Sequence, residues 1–236
     1  MVMEGVYPVV LRQDNDRIRA AKAKASSEAQ KVMNRIYSYQ KLEFMLAANF
    51  VPGDLVVTVT YDDERYPGSR QQAKSQLHYF RRKMAKARAA AGEPFVCIWS
   101  TEHKHGDGRW HHHMVINATA TRNDYEQIRK MWIYGDNIEI EPLRVDGDKN
   151  YETLARYMTK EIPDKPGQRT WCASRNCQKP EVETFRVEGD TQLHVPKGAM
   201  MLGQSADKVP GAGTQIVKYI DVDGLNKRRK KSPRRK

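Results

Sequence analysis

Apolar and polar positions along the chain predict alternating helices and strands between residues 14 and 162. Apolar side chains recur at helical spacing through residues 14–49. The segment LVVTVTY, from Leu55 to Tyr61, is short and rich in β-branched residues, which favours a strand. A long basic helix is predicted from Arg70 to Ala91, because its apolar residues recur every three or four positions and Gly92 can end it.

A hairpin of two strands is predicted next. FVCIWSTE, from Phe95 to Glu102, and the strand that begins at Trp110 are separated only by a short glycine-rich link. The elements that follow are a short helix after Asn123, a strand from Ile138 to Leu143 and a helix from Tyr151 to Ile162. The order β-α-β-β-α-β-α predicts an α+β fold, with a central antiparallel sheet and helices packed against it. Beyond Pro180 the pattern is weaker, and PEVETFRV and TQIVKYIDV are the predicted strands.

The charge of the chain is concentrated at its C-terminal end. The net charge is +12, and the segment from Lys227 to Lys236 carries eight positive charges and no acid, which leaves +4 on the rest. Such a tail suits a polyanion, usually nucleic acid. Its candidate DNA contacts are Lys227, Arg228, Arg229, Lys230 and Lys231. The alternative is a solvated end without a function.

Composition excludes several classes of protein. No apolar run is long enough for a membrane span, and the N-terminus does not have the pattern of a signal peptide. Three cysteines without a CxxC pair, Cys97, Cys172 and Cys177, argue against a disulfide framework and a structural zinc site. We therefore expect a protein of the reducing cytoplasm.

The strand GRWHHHMVIN contains the strongest candidate for chemistry. Side chains alternate between the two faces of a strand, so His111 and His113 point one way and His112 the other. Two imidazoles on one face can both reach a divalent cation. If Glu102 on the partner strand lies opposite His111, its carboxylate joins them, and this donor set suits Mn²⁺ and similar ions. A competing pair, His103 and His105, has the same spacing, but we expect it to be exposed. The other interpretation of the strand is that its three histidines have no function and are incidental.

A second candidate lies on the predicted helix that follows. Tyr157 and Lys160 are three residues apart, so they are neighbours on one helical face. A tyrosine hydroxyl becomes a nucleophile when a nearby cation stabilises the phenolate. On this helix alone, Tyr157 as an ordinary packed residue is the simpler interpretation.

Three motifs in order resemble those of the HUH endonuclease superfamily, in particular the rolling-circle replication initiators of phages and plasmids. They are VVTVT (Val56 to Thr60), the histidine strand after GRW, and Tyr157-Met-Thr-Lys160. One departure is His112, which stands where the family usually has a bulky hydrophobe. The resemblance implies a palm similar to an RNA-recognition motif, of the single-tyrosine type because Tyr151 falls on a different helical face from Tyr157.

The resemblance also implies an activity, and a bacterial host cell as its location. His111, His113 and Glu102 would hold Mg²⁺ or Mn²⁺, and Tyr157, assisted by Lys160, would attack the phosphate of single-stranded origin DNA. The products would be a 5′-phosphotyrosine link and a free 3′-OH, with later rejoining of strands. The chain lacks a helicase P-loop, so a host helicase and DNA polymerase are expected partners. The alternatives are a transposase or relaxase of the same superfamily, a nuclease that uses water, and a non-catalytic basic DNA-binding protein.

Further DNA contacts are predicted after the tyrosine helix. RTWCASRNCQKP interleaves basic residues with an aromatic ring, and its candidates are Arg169, Trp171, Arg175 and Lys179. An ordinary surface loop with a packed tryptophan is the other interpretation. A second candidate DNA surface is the basic helix with Arg81, Arg82, Lys83, Lys86 and Arg88, although a solvated outer face is the simpler interpretation. Thr58 and Thr60 are expected to be architectural.

The predicted domain organisation has four parts. They are an N-terminal helical segment (1–50), the HUH endonuclease domain (51–180), a C-terminal extension of unknown role (181–225) and a flexible basic tail (226–236).

Overall fold

The computed structural model describes residues 1–6, 28–103, 108–121, 123–145, 151–161, 169–183, 192–206 and 215–221. The predicted helical residues 14–27, His105 and the basic tail with Lys227, Arg228, Arg229, Lys230 and Lys231 lie outside these ranges. The chain divides into two compact units. One comprises Lys31–Asp146 with Tyr151–Pro180, and the other comprises Met1–Gln30, Gly147–Asn150 and Glu181–Lys236.

Twelve α-helices and strands are assigned within the described ranges. In chain order they are β1 (Val2–Val6), α1 (Glu28–Asn49), β2 (Leu55–Val59), α2 (Arg70–Ala90), β3 (Cys97–Glu102), β4 (His111–Ile116), α3 (Asp124–Met131), β5 (Ile138–Pro142), α4 (Glu152–Met158), β6 (Trp171–Ala173), β7 (Met200–Ala206) and β8 (Gln215–Ile220).

The larger unit is built on a five-stranded antiparallel sheet in the order β5-β2-β4-β3-β6. From β2 to α4 its elements follow the predicted order β-α-β-β-α-β-α. The predicted α+β fold is confirmed, and β3 and β4 form the predicted hairpin. The sheet agrees with the palm that the resemblance implied.

Helices cover both faces of this sheet, because its central strands are apolar on both faces. On one face, residues of α2 and α3 such as Leu77 and Ile128 pack with Met114 of β4. On the other face, residues of α1 and α4 such as Leu46 and Met158 pack with Val115. The histidine strand therefore has one core above it and another below it, and the functional side chains lie at its N-terminal end.

The smaller unit contains a three-stranded antiparallel sheet in the order β1-β8-β7. Strand β8 confirms the strand that was predicted in TQIVKYIDV. The strand predicted in PEVETFRV is wrong for residues 181–183, which are irregular and exposed. Strands β1, β6 and β7 were not predicted.

No helix in the described part of the chain is both long and apolar enough to cross a lipid bilayer.

The expectation that the basic residues of α2 form a solvated outer face is wrong for Arg88. Its side chain is 1% exposed and lies 2.7 Å from a carboxylate oxygen of Asp124. The same guanidinium donates hydrogen bonds to the backbone oxygens of Asn117 and Pro94. Arg88 therefore ties α2 to the loop after β4 and to the first turn of α3.

Replacement of Arg88 by methionine is expected to lower the free energy of unfolding by about 3–5 kcal/mol, because it leaves a buried carboxylate without its charge partner. Urea unfolding of the variant beside the parent protein measures the difference. Lys86→Met on the exposed side of the same helix is the matched control, with an expected change within about 0.5 kcal/mol. Equal stability of Arg88→Met and the parent would refute this role for the ion pair.

Candidate functional site

The three histidines of β4 divide between the two faces of the sheet, as the alternation predicts. His112 faces the core beneath α2 and is completely buried. Its Nε2 lies 2.6 Å from the Tyr61 hydroxyl, and its Nδ1 lies 3.0 Å from the Thr101 hydroxyl. A neutral imidazole satisfies both partners, because one nitrogen accepts while the other donates. Burial, with a smaller contribution from nearby positive charge, lowers the pKa of His112 to about 3. The imidazole thus fills the place of a hydrophobic side chain.

His112 is expected to make the fold sensitive to acid. Its pKa is lower in the folded protein than the usual value near 6.5, so the unfolded chain binds the extra proton first. The contribution of neutral His112 to the free energy of unfolding is fully present above about pH 6.5. It is lost as the pH falls toward 3, at a rate of about 1 kcal/mol per pH unit. Urea unfolding at several pH values measures this slope.

The control for this prediction is His112→Met. This variant loses two hydrogen bonds and is less stable at neutral pH, but its stability should change less between pH 6 and pH 4. An unchanged slope in His112→Met would assign the acid sensitivity to other groups.

His113 lies on the opposite face, and its two ring nitrogens each have a polar side-chain partner. Its Nδ1 is 3.1 Å from the Thr58 hydroxyl on β2, and its Nε2 is 2.9 Å from Oε2 of Glu102 on β3. The strand register explains both contacts, since Thr58 pairs with His113 and Glu102 pairs with His111. Glu102 therefore lies opposite His111, on the face that the sequence analysis required.

Glu102 connects two of the predicted site residues. It is 4% exposed; one of its oxygens contacts His113, and the other lies 2.9 Å from the Lys160 ammonium group. Burial alone would raise the pKa of Glu102, but hydrogen bonds and charge from His113 and Lys160 outweigh it and lower the pKa to about 2. The carboxylate is therefore ionised at neutral pH.

Tyr157 projects from α4 over this group. Its ring centroid lies 4.8 Å from that of His113, in an edge-to-face arrangement, and its side chain is 45% exposed. The Lys160 ammonium group lies 4.1 Å from the centroid of the Tyr157 ring. Tyr151 is different: it is 4% exposed, and its hydroxyl donates to the Phe50 backbone oxygen. Of these two tyrosines, only Tyr157 is open to a large substrate.

The predicted helical position of Lys160 is wrong, because α4 ends at Met158. The Thr159 hydroxyl donates to the Ala155 oxygen, and the Lys160 N–H donates to the Tyr157 oxygen, which closes the last turn. Lys160 still reaches Tyr157 across this turn. Its position depends on the ion pair with Glu102 rather than on helical geometry.

A salt bridge that the sequence analysis missed holds the residue after Lys160. Arg70 donates to Glu161 at 2.7 Å and to the Thr101 backbone oxygen at 2.9 Å. Glu161 also accepts a hydrogen bond from the backbone N–H of His103. The end of β3 is thus joined to the segment after α4. No local pattern reveals this bridge, since its partners are far apart in sequence.

Thr58 was predicted to be architectural, yet it contacts His113 directly. The alternation of VVTVT places Thr58 on the same face as the strand histidines once β2 and β4 are known to be neighbours.

The donor atoms in this group fit a divalent cation in part. Two ligands of one ion with bonds near 2.1 Å lie about 3 Å apart when adjacent, and His113 Nε2 and Glu102 Oε2 are 2.9 Å apart. The His111 ring is parallel to that of His113 at a centroid distance of 6.4 Å. Within the described ranges, no three His, Cys, Asp or Glu side chains are grouped to hold a metal ion. A site with all three predicted ligands therefore requires His111 to move.

The predicted DNA contacts after α4 occupy the edge of the sheet. Arg169, Arg175 and Lys179 are exposed. Trp171 starts β6, packs partly against the core beneath α1, and donates its indole N–H to the Ser38 oxygen. The basic groups are therefore accessible, whereas part of the tryptophan ring is used in packing. His103, from the competing histidine pair, packs against Trp110 with the two rings tilted and their centroids 4.1 Å apart.

Residues 54–162 match the family model of the ORF2-type replication-associated proteins. This segment is similar to the members of that family. The match spans β2 through α4 and includes every residue of the group around Glu102 and Tyr157. It agrees with the resemblance to rolling-circle replication initiators. Neither the curated proteins nor the solved structures contain a significant match to the chain.

Proposed function

We propose that this replication-associated protein initiates rolling-circle replication by nicking single-stranded origin DNA. The observation that carries the proposal is the convergence of Tyr157, His113, Glu102 and Lys160 on one face of the sheet. An exposed phenol beside an ammonium group and an imidazole–carboxylate pair has the parts needed for tyrosine attack on a phosphodiester. The family match supports the choice of DNA as the substrate.

In the proposed step, the Tyr157 oxygen attacks the scissile phosphorus. The new bond joins the phenol oxygen to the 5′ phosphate, and the bond from phosphorus to the 3′ oxygen breaks. The phenol proton leaves to solvent, which reaches the exposed Tyr157 side chain, and the departing 3′ oxygen takes up a proton. Lys160 stabilises the negative charge on the phenol oxygen and the phosphate, because Glu102 holds its ammonium group beside the Tyr157 ring.

His113 and Glu102 are the proposed ligands of Mg²⁺ or Mn²⁺, with His111 as the third. Such an ion would polarise the phosphate oxygens. Each oxygen of Glu102 would then have a separate task, since one faces His113 and the other holds Lys160. Thr58 orients the His113 ring from its other nitrogen.

The chemistry allows both initiation and termination. The free 3′-OH can prime synthesis by a host polymerase, with strand separation by a host helicase. The phosphotyrosine bond conserves the transfer potential of the phosphodiester, so attack by a 3′-OH reverses the step and rejoins the strands without a nucleotide cofactor.

A covalent adduct assay tests the proposal. The protein is incubated with Mn²⁺ and labelled oligonucleotides that tile one strand of the replicon encoding it, and the products are separated on a denaturing gel. We expect a labelled band at the mass of the protein plus DNA, formed with a subset of the oligonucleotides. Mass spectrometry of the digested band should place the nucleotide on Tyr157.

Two other outcomes would replace the proposal. Cleavage without an adduct would indicate a nuclease that uses water. Retardation on a native gel, with neither cleavage nor adduct on any oligonucleotide, would indicate a DNA-binding protein without this activity. Incubation with EDTA in place of Mn²⁺ tests the proposed metal, and an undiminished adduct would remove the ion from the mechanism.

A further inference from the structure

A basic groove runs between α2 and β6, at the edge of the five-stranded sheet. It encloses about 180 Å³. Its cationic lining residues are Arg70, Lys74 and Arg81 from α2 and Arg169 from the start of the opposite wall, with His78 beside them. We name the surface lined by these five residues the edge groove. They lie outside the group formed by Tyr157, His113, Glu102 and Lys160.

The edge groove has an excess of positive charge. Its four α2 residues are spaced i, i+4, i+8 and i+11 from Arg70, so they form one stripe along the helix. Neither α2 nor the segment 169–180 contains an acidic residue. Glu161 pairs with Arg70, but the residues that line the groove include no carboxylate. Lys74 and Arg169 are exposed. The groove therefore favours an anionic ligand.

Arg81 gives the groove a fixed donor group. Its guanidinium lies 3.1 Å from the centroid of the Trp99 ring, and its buried Nε makes no hydrogen bond. Stacking uses the face of the guanidinium and leaves its in-plane N–H groups to donate. The stacking on Trp99 therefore fixes the orientation of the Arg81 guanidinium at the wall of the groove.

Aromatic rings also line the groove. Trp99 and Trp171 are both partly buried and both border it. Cationic groups that hold phosphates, together with aromatic rings beside them, are the usual composition of a channel for single-stranded nucleic acid.

We propose that the edge groove binds the backbone phosphates of the DNA strand next to the segment at the Tyr157 site. Arg70 links the two regions, because its guanidinium contacts Glu161, the residue after Lys160, while its side chain borders the groove. The inference rests on the proposed function for the choice of DNA as the ligand. It extends the DNA contacts predicted after α4, which include Arg169, to Arg70, Lys74 and Arg81 of α2.

Binding of a labelled single-stranded oligonucleotide of mixed sequence tests the inference, by fluorescence anisotropy on the full chain. All proteins carry Tyr157→Phe, so no covalent product can form. The double variant Lys74→Glu/Arg169→Glu should raise Kd about tenfold or more. It should also reduce the slope of log K against log salt by about one to two, since each lost phosphate contact lowers that slope by roughly 0.7 for a single strand.

The matched control is Arg82→Glu/Lys86→Glu, which changes the net charge equally on exposed residues of the same helix that do not border the groove. We expect its Kd to change by less than about threefold. Unchanged affinity of the groove variant, or an equal loss in both variants, would overturn the inference. Lys74→Gln/Arg169→Gln should give an intermediate loss, and circular dichroism verifies that each variant is folded.

The two proposals fail in different ways. If the proposed function is wrong, the parent protein forms no adduct with any oligonucleotide. If only the inference about the edge groove is wrong, the adduct forms, but the groove variant binds the oligonucleotide as tightly as its control.

Discussion

Tyr157→Phe is expected to abolish the covalent protein–DNA adduct, with a loss of about 10⁴-fold or more in the rate of nicking. The substitution removes only the hydroxyl oxygen, which is the atom that would bond to phosphorus. The phenylalanine ring can keep the edge-to-face contact with His113, so the surrounding groups should keep their positions. The measurement is the rate of adduct formation on a cleavable oligonucleotide, together with Kd for the same DNA, which should change by less than about threefold.

Tyr151→Phe is the matched control, because the same atom is removed at the start of the same helix. The Tyr151 hydroxyl is buried and donates to the Phe50 oxygen, so its loss should lower stability by about 1 kcal/mol and leave the adduct intact. Loss of the adduct in Tyr151→Phe alone, with normal folding, would transfer the nucleophile to Tyr151 and contradict the single-tyrosine interpretation.

The face of the sheet that carries the candidate site could be predicted from the sequence because strand alternation is strict. His111 and His113 had to share a face, and His112 had to point to the other. Whether Glu102 lies opposite His111 across the hairpin could not be predicted from the sequence. It depends on the hairpin register, and a shift of one residue would have turned the carboxylate to the other face.

Features that depend on distant partners could not be predicted. Arg88 has the sequence surroundings of an exposed basic residue, and only its pairing with Asp124 explains its burial. Lys160 reaches Tyr157 although α4 ends before it, since Glu102 and the bridge from Arg70 to Glu161 hold this segment. Strand β7 includes Gly203 and polar residues, so it shows little of the alternation that identifies a strand; its pairing with β8 is a non-local property.

His113→Ala is expected to reduce nicking by about 10³-fold or more and to leave most DNA binding intact. The His113 imidazole contacts both Glu102 and Tyr157, so its removal takes away a proposed metal ligand and the support of the phenol ring. Loss of several kcal/mol of charge stabilisation at the phosphate corresponds to this factor. The measurement is the rate of adduct formation over a titration of Mn²⁺, and an unchanged rate would remove His113 from the site.

Thr58→Val separates a metal ligand from a residue that only positions it. The valine keeps the shape of the side chain but cannot hydrogen bond to His113 Nδ1, so the ring is less well oriented while Nε2 remains available. We expect about a tenfold loss, which higher Mn²⁺ should partly restore. His113→Ala has no imidazole to recover, so added Mn²⁺ should help it far less. Equal responses of the two variants to Mn²⁺ would mean that His113 packs against Tyr157 and does not bind the ion. Glu102→Gln would then test whether Glu102 is the metal ligand.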